Sequence, residues 1–427
     1  MSILKNKIIG PARDYLKTIR LFSKNIRLYL FGVFLAGLTF SAYLLLLNLY
    51  LREQGSSESF IGLVLSAGAI GMALTSIPAA LVLRRIKLKP ILQWTILLYS
   101  LSIILLTWLP VNNLLIIISF AGGVTMTFYR VAAAPFFMRN TTPQERTYVF
   151  SSGFGVSLLA SMLGSLVFGW LVPQLEIYTG DIVTAYRWTF ALSVVLGLSA
   201  LIPFSLIKAV DPTQDNDKAV FSFDIVRRRL SLYSRLFIPY LIVGGGAGLI
   251  IPFLNLYFRD RFNQPPDKIG FFFFAVHTTM LIGIMAGPVL ARKMGLVRTM
   301  VWTQLLSIPF MILLAYTYYL PLAVFAFLIR GALMNLGHPI GSNFAMEMVT
   351  KDEQALVNAL LMLAWTGSWM ISTAIGGKLI ELYGYTLPLM AAVVLYIVSS
   401  LLYYLFFRKS EKKNASGYEI IAPELKP

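Results

Sequence analysis

The chain has 427 residues, 57% of them hydrophobic and only 13% charged, against about 25% charged in an ordinary soluble domain; a water-solvated globule is therefore excluded. Cysteine is absent, which excludes disulfides, thiolate metal sites and a cysteine nucleophile. The net charge is +17, but the basic residues gather at helix ends and tails, where an inner leaflet and topology rules want them, which argues against nucleic acid as a partner.

The chain opens on a basic segment. In residues 12–27, Arg13, Lys17, Arg20 and Lys24 alternate with Leu16, Ile19 and Phe22, which predicts an interfacial helix on an anionic leaflet. The first apolar stretch begins near Leu28. It is too long for a signal-peptide core and no small-residue cleavage site follows, so it is expected to stay as a first span. A bilayer core of about 30 Å takes about 20 apolar helical residues. Twelve such stretches are present, at 28–50, 58–82, 90–109, 113–138, 148–172, 183–206, 236–257, 267–290, 297–316, 320–346, 355–380 and 385–407. Pro110, Pro143, Pro173 and Pro321 are expected where helices end or begin. Residues 208–235 are the long polar stretch, read as a cytoplasmic tether. Within it Asp211 to Asp217 is expected as a flexible turn and Ser222 to Arg229 as a short basic helix. Residues 409–427 are expected as a cytoplasmic tail.

Lysine and arginine set the orientation. With both termini inside, the cytoplasmic segments hold 28 of the 36 basic residues; Arg52, Arg187, Arg259, Arg261, Lys268 and Lys378 fall outside, and Arg130 and Arg330 within spans. The reverse orientation violates the positive-inside rule. A bacterial plasma membrane is the expected location. Asn140-Thr141-Thr142 matches a glycosylation triplet but falls on the cytoplasmic side.

The sequence also repeats itself. Asn48-Leu49-Tyr50 meets Asn255-Leu256-Tyr257 at an offset of 255 − 48 = 207, with Arg52 on Arg259 and Glu53 on Asp260. From Ile61-Gly62 on Ile269-Gly270 the offset is 269 − 61 = 208. At that offset Arg84-Arg85 meets Arg292-Lys293, Trp94-Thr95 meets Trp302-Thr303, Gly123 meets Gly331, Thr142 meets Thr350, Glu145 meets Glu353 and Gly169 meets Gly377. A period this long is half a protein rather than a solenoid unit. Duplicated halves in a membrane are a transporter signature, with the substrate site between them. The expected domains are 1–27, a basic amphipathic segment; 28–207, a six-helix bundle; the 208–235 linker; 236–408, a second six-helix bundle; and the 409–427 tail.

Twelve spans, a six-plus-six repeat and a central loop resemble the major facilitator superfamily of secondary transporters, over about residues 12–408. The family's Gly-x-x-x-Asp-Arg-x-Gly-Arg-Arg loop is kept in part. Here the two copies run from Ala80 to Lys89 and from Pro288 to Arg298, and retain Arg84, Arg85, Arg292 and Lys293. The first glycine is missing from both, and Arg84 and Arg292 replace the aspartate that helps latch the halves on the cytoplasmic side. Thr142-Pro143-Gln144-Glu145-Arg146 resembles the family's Pro-Glu-x-Arg turn. Ser119 stands where an arginine is usual in the fourth span. Gly153, Gly155, Gly164 and Gly169 provide the glycines of the antiporters' fifth span without its proline. The resemblance implies an all-α membrane protein: twelve transmembrane helices in two pseudo-symmetric bundles that rock around a central cavity lined mainly by helices 1, 4, 7 and 10. It implies a gating or interdomain role for the loop residues Arg84, Arg85, Arg292, Lys293, Glu145 and Arg146. Gly164, Gly169, Gly367, Gly376 and Gly377, on helices 5 and 11, are expected to pack against the other half. The run Gly244-Gly245-Gly246-Ala247-Gly248 in helix 7 is expected to bend.

A central arginine in a bilayer costs about 2.5–3.5 kcal/mol on the insertion scale, so the ionisable residues in the spans carry the site argument. Gly123, Thr127 and Arg130 recur at i, i+4 and i+7 and share one helix face. Their repeat partners Gly331, Asn335 and His338 form the same stripe, extended by Ser342. One reading has Arg130 attracting an anionic group while Asn335 and His338 complete the contact. The other has Arg130 bonding to backbone carbonyls or snorkelling to the inner surface. Arg330 is open between a second anion contact and helix packing. His277 is expected as a buried neutral histidine with one hydrogen bond. Asn48 and Asn255 are expected to share a capping or gating role. Tyr43, Tyr129, Phe128 and Trp365 offer apolar walls. No carboxylate lies in the middle third of any span, which disfavours a buried carboxylate proton relay.

The expected function is secondary transport of a small or amphipathic solute, with a tilt towards anions, by a monomer among membrane lipids. Multidrug efflux and lipid translocation on the same fold are the alternatives, and a non-transporting sensor is a third class. No catalytic set, cofactor or metal site is visible, so an enzyme is not expected.

Overall fold

The computed structural model describes residues 22–208, 229–350, 353–414 and 417–420; the side chains of Arg84, Arg85 and His338 lie outside the described set. Twelve helices are long and apolar enough to cross a membrane. The first six are α1 (Lys24–Glu53), α2 (Glu58–Arg85), α3 (Leu88–Trp108), α4 (Leu114–Asn140), α5 (Pro143–Thr179) and α6 (Ile182–Leu198, extended by Leu201–Leu206). The second six are α7 (Leu230–Ile250, continued as Leu254–Phe262), α8 (Pro266–Met294), α9 (Leu296–Tyr316), α10 (Leu320–Glu347), α11 (Gln354–Tyr383) and α12 (Thr386–Phe407).

Local chemistry explains the boundaries. Ser23, Ser57 and Asp181 accept from the free amides of Ile26, Phe60 and Thr184 and so cap α1, α2 and α6. Gly180, Gly295 and Gly384 end α5, α8 and α11 at positive φ, where a side chain would be strained. Pro143 and Pro321 sit in the first turns of α5 and α10, and Pro110 follows α3, as expected. Pro173 does not end its helix: α5 runs through it to Thr179. Membrane-spanning helices tolerate proline because neighbours re-satisfy the freed carbonyl.

Three further expectations are corrected or bounded. Lys24 and Arg27 belong to α1 itself, and residues 12–21 of the basic segment lie outside the described residues. So do 209–228 of the linker; α7 begins at Leu230, earlier than the pattern suggested. The tail carries a short hairpin, β1 (Glu411–Asn414) antiparallel to β2 (Gly417–Ile420). Glu411 accepts from the amides of Leu296 and Val297 at 2.5 and 3.2 Å, and so caps α9 from outside it.

Helix α7 breaks at a 3-10 turn, Ile251–Phe253, which contains Pro252. The glycine run just before it stays helical. A Cβ on Gly244 or Gly248 would lie 3.0 Å or less from backbone of Trp365 or Trp369, so the run seats α7 on α11 rather than bending it.

The buried core is divided unequally. One large cluster joins the two halves: Leu45 to Leu51 of α1 with Leu254 to Phe258 of α7 and Ile269 and Phe272 of α8. Two others each belong to one half, around Tyr29, Phe136 and Phe204 and around Tyr240, Phe344 and Tyr403. The shared core lies at the end carrying the α1–α2 and α7–α8 loops, here the loop end. The separate cores lie at the opposite, terminal end.

Glycines set the contact between halves. Gly377 on α11 faces Glu58 O and Gly62 Cα of α2, at 2.3 and 3.1 Å from an added Cβ. Its repeat partner Gly169 on α5 faces Gly270 Cα and Pro266 O of α8 at 2.8 Å. Backbone thus meets backbone at two symmetry-related crossings, the small-residue packing that substitutes for a hydrophobic driving force in lipid. The other three expected packing glycines do not cross. Gly164 meets Ser41 of α1 and Gly376 meets Leu249 of α7, both within their own half, and Gly367 meets nothing. We expect Gly377→Ala to cost about 1–3 kcal/mol by forcing α2 and α11 apart, read as a lower melting temperature. Gly367→Ala, with open space around the new methyl group, should leave the melting temperature near wild type.

At the terminal end Glu353 is a hub. It accepts from Arg229 at 2.9 Å, from the Tyr233 hydroxyl at 2.9 Å and from the Thr350 amide and hydroxyl at 3.0 and 2.9 Å. Burial pushes its carboxyl up, but these donors outweigh burial and hold it below its ordinary value. A depressed carboxyl pKa stabilises the fold above the unfolded value, near 4.3, and the contribution fades as pH falls through the folded value. Glu353→Gln should therefore cost about 2 kcal/mol at neutral pH, and its melting temperature should converge on wild type below about pH 4.

Candidate functional site

Two neighbouring chambers share part of one wall. One, of about 460 Å3, is lined by α1, α2, α3, α4 and α5 and by Pro252, Asn255, Trp365 and Trp369 from the other half. The other, of about 370 Å3, is lined by α7 to α12. Ile251, Phe273, His277, Trp365 and Trp369 belong to both. Their sizes suit small organic ligands, for which pockets run to about 300–1,000 Å3. Neither wall holds an aspartate or glutamate among the described residues.

Arg130 projects from α4 into the first chamber and is exposed there. Its guanidinium lies 4.9 Å from the centre of the Phe40 ring, a cation–π contact, and it makes no hydrogen bond or ion pair with a described residue. Tyr43 lines the same chamber beside Ser119, whose hydroxyl donates to Val64 O at 2.6 Å. In the second chamber Arg330 is 5% exposed. It lies beside the Tyr396 hydroxyl, but neither that oxygen nor Nη1 completes a hydrogen bond. Asn335 lines this chamber and donates to Gly331 O at 2.9 Å.

The expected stripe is split. Gly123 and Arg130 face the first chamber, whereas Thr127 turns to α2 and donates to Met72 O at 3.2 Å and to its own helix at Gly123 O. Ser342 is not a lining residue, but it pairs with Tyr240, which is. The Tyr129 hydroxyl is buried and unpartnered, outside the lining. His338 falls outside the described side chains. His277 sits on the wall shared by both chambers, where the sequence did not place it; it lies beside the Phe273 carbonyl one turn back on its own helix, but its Nδ1 completes no well-formed hydrogen bond. Sequence reasoning missed Tyr396, Gln304 and Trp369. All sit on helices that are apolar nearly all round, so no polar stripe marks them.

The repeat motif forms a clamp over the loop end. Asn48 donates to Asn255 Oδ1 at 3.1 Å and to Pro252 O at 2.5 Å, and Asn255 donates back to Leu45 O at 2.7 Å. Above them Arg259 pairs with Glu53 at 2.6 Å and Arg52 approaches Asp260 at 3.8 Å. Each half therefore offers an arginine to the other half's acid. The Ser59 amide donates to Glu381 and the Ser66 hydroxyl to Met370 O, both also across halves. These cross-half bonds run from the loop end to the middle of α11. The repeat also fixes the helix ends: Tyr50 donates to Thr107 O, as Tyr257 does to Leu314 O at 2.7 Å.

The loops expected to latch the terminal end form no such tie among the described residues. Arg292 donates to Pro288 O of its own helix and Lys293 is exposed. Arg146 Nε is buried without a partner, one residue after Glu145. Arg139 instead holds the α2–α3 turn, donating to Ile86 O and Leu83 O at 3.1 and 2.9 Å.

Two parallel six-helix repeats around a central cavity define a secondary transporter. The family profile described as Major Facilitator Superfamily matches the chain twice, over residues 29–238 and 236–423, and the chain belongs to that superfamily. It is accordingly a transporter rather than an enzyme. Among solved structures, the bacterial homologue of the human lysosomal transporter Spinster, in an inward-facing and occupied conformation, aligns with a TM-score of 0.76 at 12% identity, over 90% of this chain and 96% of that one. The nucleoside transporter NupG gives 0.74 at 13% identity, over 90% and 99%. The D-xylose-proton symporter gives 0.70 at 14%, over 90% and 98%. At such identities the likeness shows the fold alone. No match was found among curated protein sequences.

The clamp predicts energetic coupling between halves. In a double-mutant cycle, Asn48→Ala and Asn255→Ala should couple by about 1–2 kcal/mol in thermal unfolding, because they share one hydrogen-bonded unit. Asn48→Ala with the distant Glu353→Gln should be additive within about 0.5 kcal/mol.

Proposed function

We propose that this transporter moves a small, amphipathic organic anion across the plasma membrane by alternating access, with both termini cytoplasmic. The observation that carries the reading is Arg130: a guanidinium on an open chamber wall, with an aromatic face beside it and no carboxylate to neutralise it. A cationic group in a cavity without counter-charge favours anions and disfavours cations. The indoles of Trp365 and Trp369, with ring centres 5.9 Å apart, suit an apolar or aromatic body. The distribution of lysine and arginine supports the orientation. On that orientation the clamp would act as an outer gate. The chamber walls carry no carboxylate among the described residues, which disfavours a buried-acid relay there; facilitated diffusion, anion exchange or histidine-linked coupling fits the residues present.

Thermal stability of the purified protein against panels of organic anions, organic cations and neutral drugs tests this reading. A ligand at 100 times its Kd adds about 2.7 kcal/mol. Aromatic anions should raise the melting temperature of wild type, and Arg130→Gln should abolish that shift. Equal shifts by neutral or cationic compounds in both proteins would overturn the anion reading in favour of multidrug efflux. A response confined to lysolipids would favour a lipid translocase.

A further inference from the structure

Three buried polar atoms on the wall of the α7–α12 chamber complete no well-formed hydrogen bond: Nη1 of Arg330 and the hydroxyl of Tyr396, which lie beside each other, and Nδ1 of His277, beside the Phe273 carbonyl. A buried guanidinium with no acidic partner among the described residues is costly. Around Arg330 the wall is otherwise largely apolar, with Phe327, Trp365 and Trp369. Such a setting strengthens a charge-assisted hydrogen bond to any anion that enters. The three atoms converge on one chamber, and His277 stands where that chamber meets the one holding Arg130.

The depth of the two arginines follows from the repeat. Arg330 lies at the level of residue 330 − 208 = 122, and Arg130 lies 130 − 122 = 8 residues further towards the terminal end. Eight residues of helix rise are about 12 Å. The arginines are therefore offset in depth as well as divided between halves, and the wall between them is aromatic.

We propose that Arg330, Tyr396 and His277 form a second anion subsite, and that the substrate is an elongated organic dianion with one acidic group at Arg130 and the other at Arg330. The inference rests on the Arg130 reading above. Arg330 and the Tyr396 hydroxyl donate to the second acid, and His277 donates in the tautomer that carries its proton on Nδ1. The body of the ligand crosses the shared wall at Trp365 and Trp369. Because the two acids engage opposite halves, such a ligand also bridges the bundles that must move relative to each other.

The test compares the affinity of the full-length purified protein for a para-linked biphenyl dicarboxylate and for the matching biphenyl monocarboxylate. Wild type should bind the dicarboxylate at least about tenfold more tightly. Arg330→Gln should bring the dicarboxylate to within about threefold of the monocarboxylate and leave the latter unchanged. Tyr396→Phe, which keeps the ring packing, should weaken only the dicarboxylate, by about three- to tenfold. If Arg330→Gln does not fold, Arg330→Lys serves instead: it keeps the charge but loses the planar fork, and should also weaken the dicarboxylate selectively.

Equal wild-type affinity for the two ligands, both still dependent on Arg130, would overturn the second subsite and leave the anion transporter standing. The same follows if Arg330→Gln weakens both ligands alike, since Arg330 is then structural. Binding of both ligands unaffected by Arg130→Gln would overturn the Arg130 reading itself.

Discussion

Lipid gives two apolar bundles no reason to stay together. Hydrocarbon solvates leucine as well as leucine does, so association must come from close backbone packing and from polar groups that find each other. In this protein both devices are concentrated at one end. Gly62 meets Gly377, Gly169 meets Gly270, and the Asn48–Asn255 pair with its flanking ion pairs lies over them. The shared core occupies the same end, while the cores at the terminal end each stay within one half. The halves are thus joined by two packed helix pairs, α2 with α11 and α5 with α8, and by the polar clamp at the loop end. The directional contacts of the clamp are ones that a rocking motion can break and remake.

The chemistry of the cavity follows from the same scarcity. A charged side chain in the bilayer is tolerated where it faces water, a partner or a ligand. The chain places Arg130 and Arg330 on the two chamber walls and keeps its carboxylates at the helix ends, in the clamp and at the Glu353 hub. The result is a cavity of one sign. Aromatic side chains from both halves, among them Phe40, Tyr43, Phe273, Trp365 and Trp369, form part of the remaining wall.

Much of this was legible in the sequence, because the repeat preserves polar residues that a membrane helix otherwise avoids. The Asn48/Asn255, Arg52/Arg259 and Glu53/Asp260 matches mark the clamp, and the structure pairs each residue with a duplicate's neighbour or with the duplicate itself. Glycine partners were harder to read. Gly164 and Gly169 are five residues apart and so point about 140° apart around α5; one meets α1 and the other meets α8. Spacing alone does not say which face crosses to the other half. The chamber walls were least legible. Helices that are apolar all round carry no amphipathic stripe, so Thr127 was placed in the cavity and Tyr396 and His277 were not.

We propose that the clamp closes the loop end of the cavity. The chain has no cysteine, so a single thiol placed on the chamber wall by Met72→Cys reports alone. In sealed, oriented vesicles a membrane-impermeant thiol reagent should label it from the terminal side and not from the loop side. Adding Asn48→Ala and Arg259→Ala should open labelling from the loop side. Labelling from the loop side with the clamp intact, or no change when it is removed, would contradict the account.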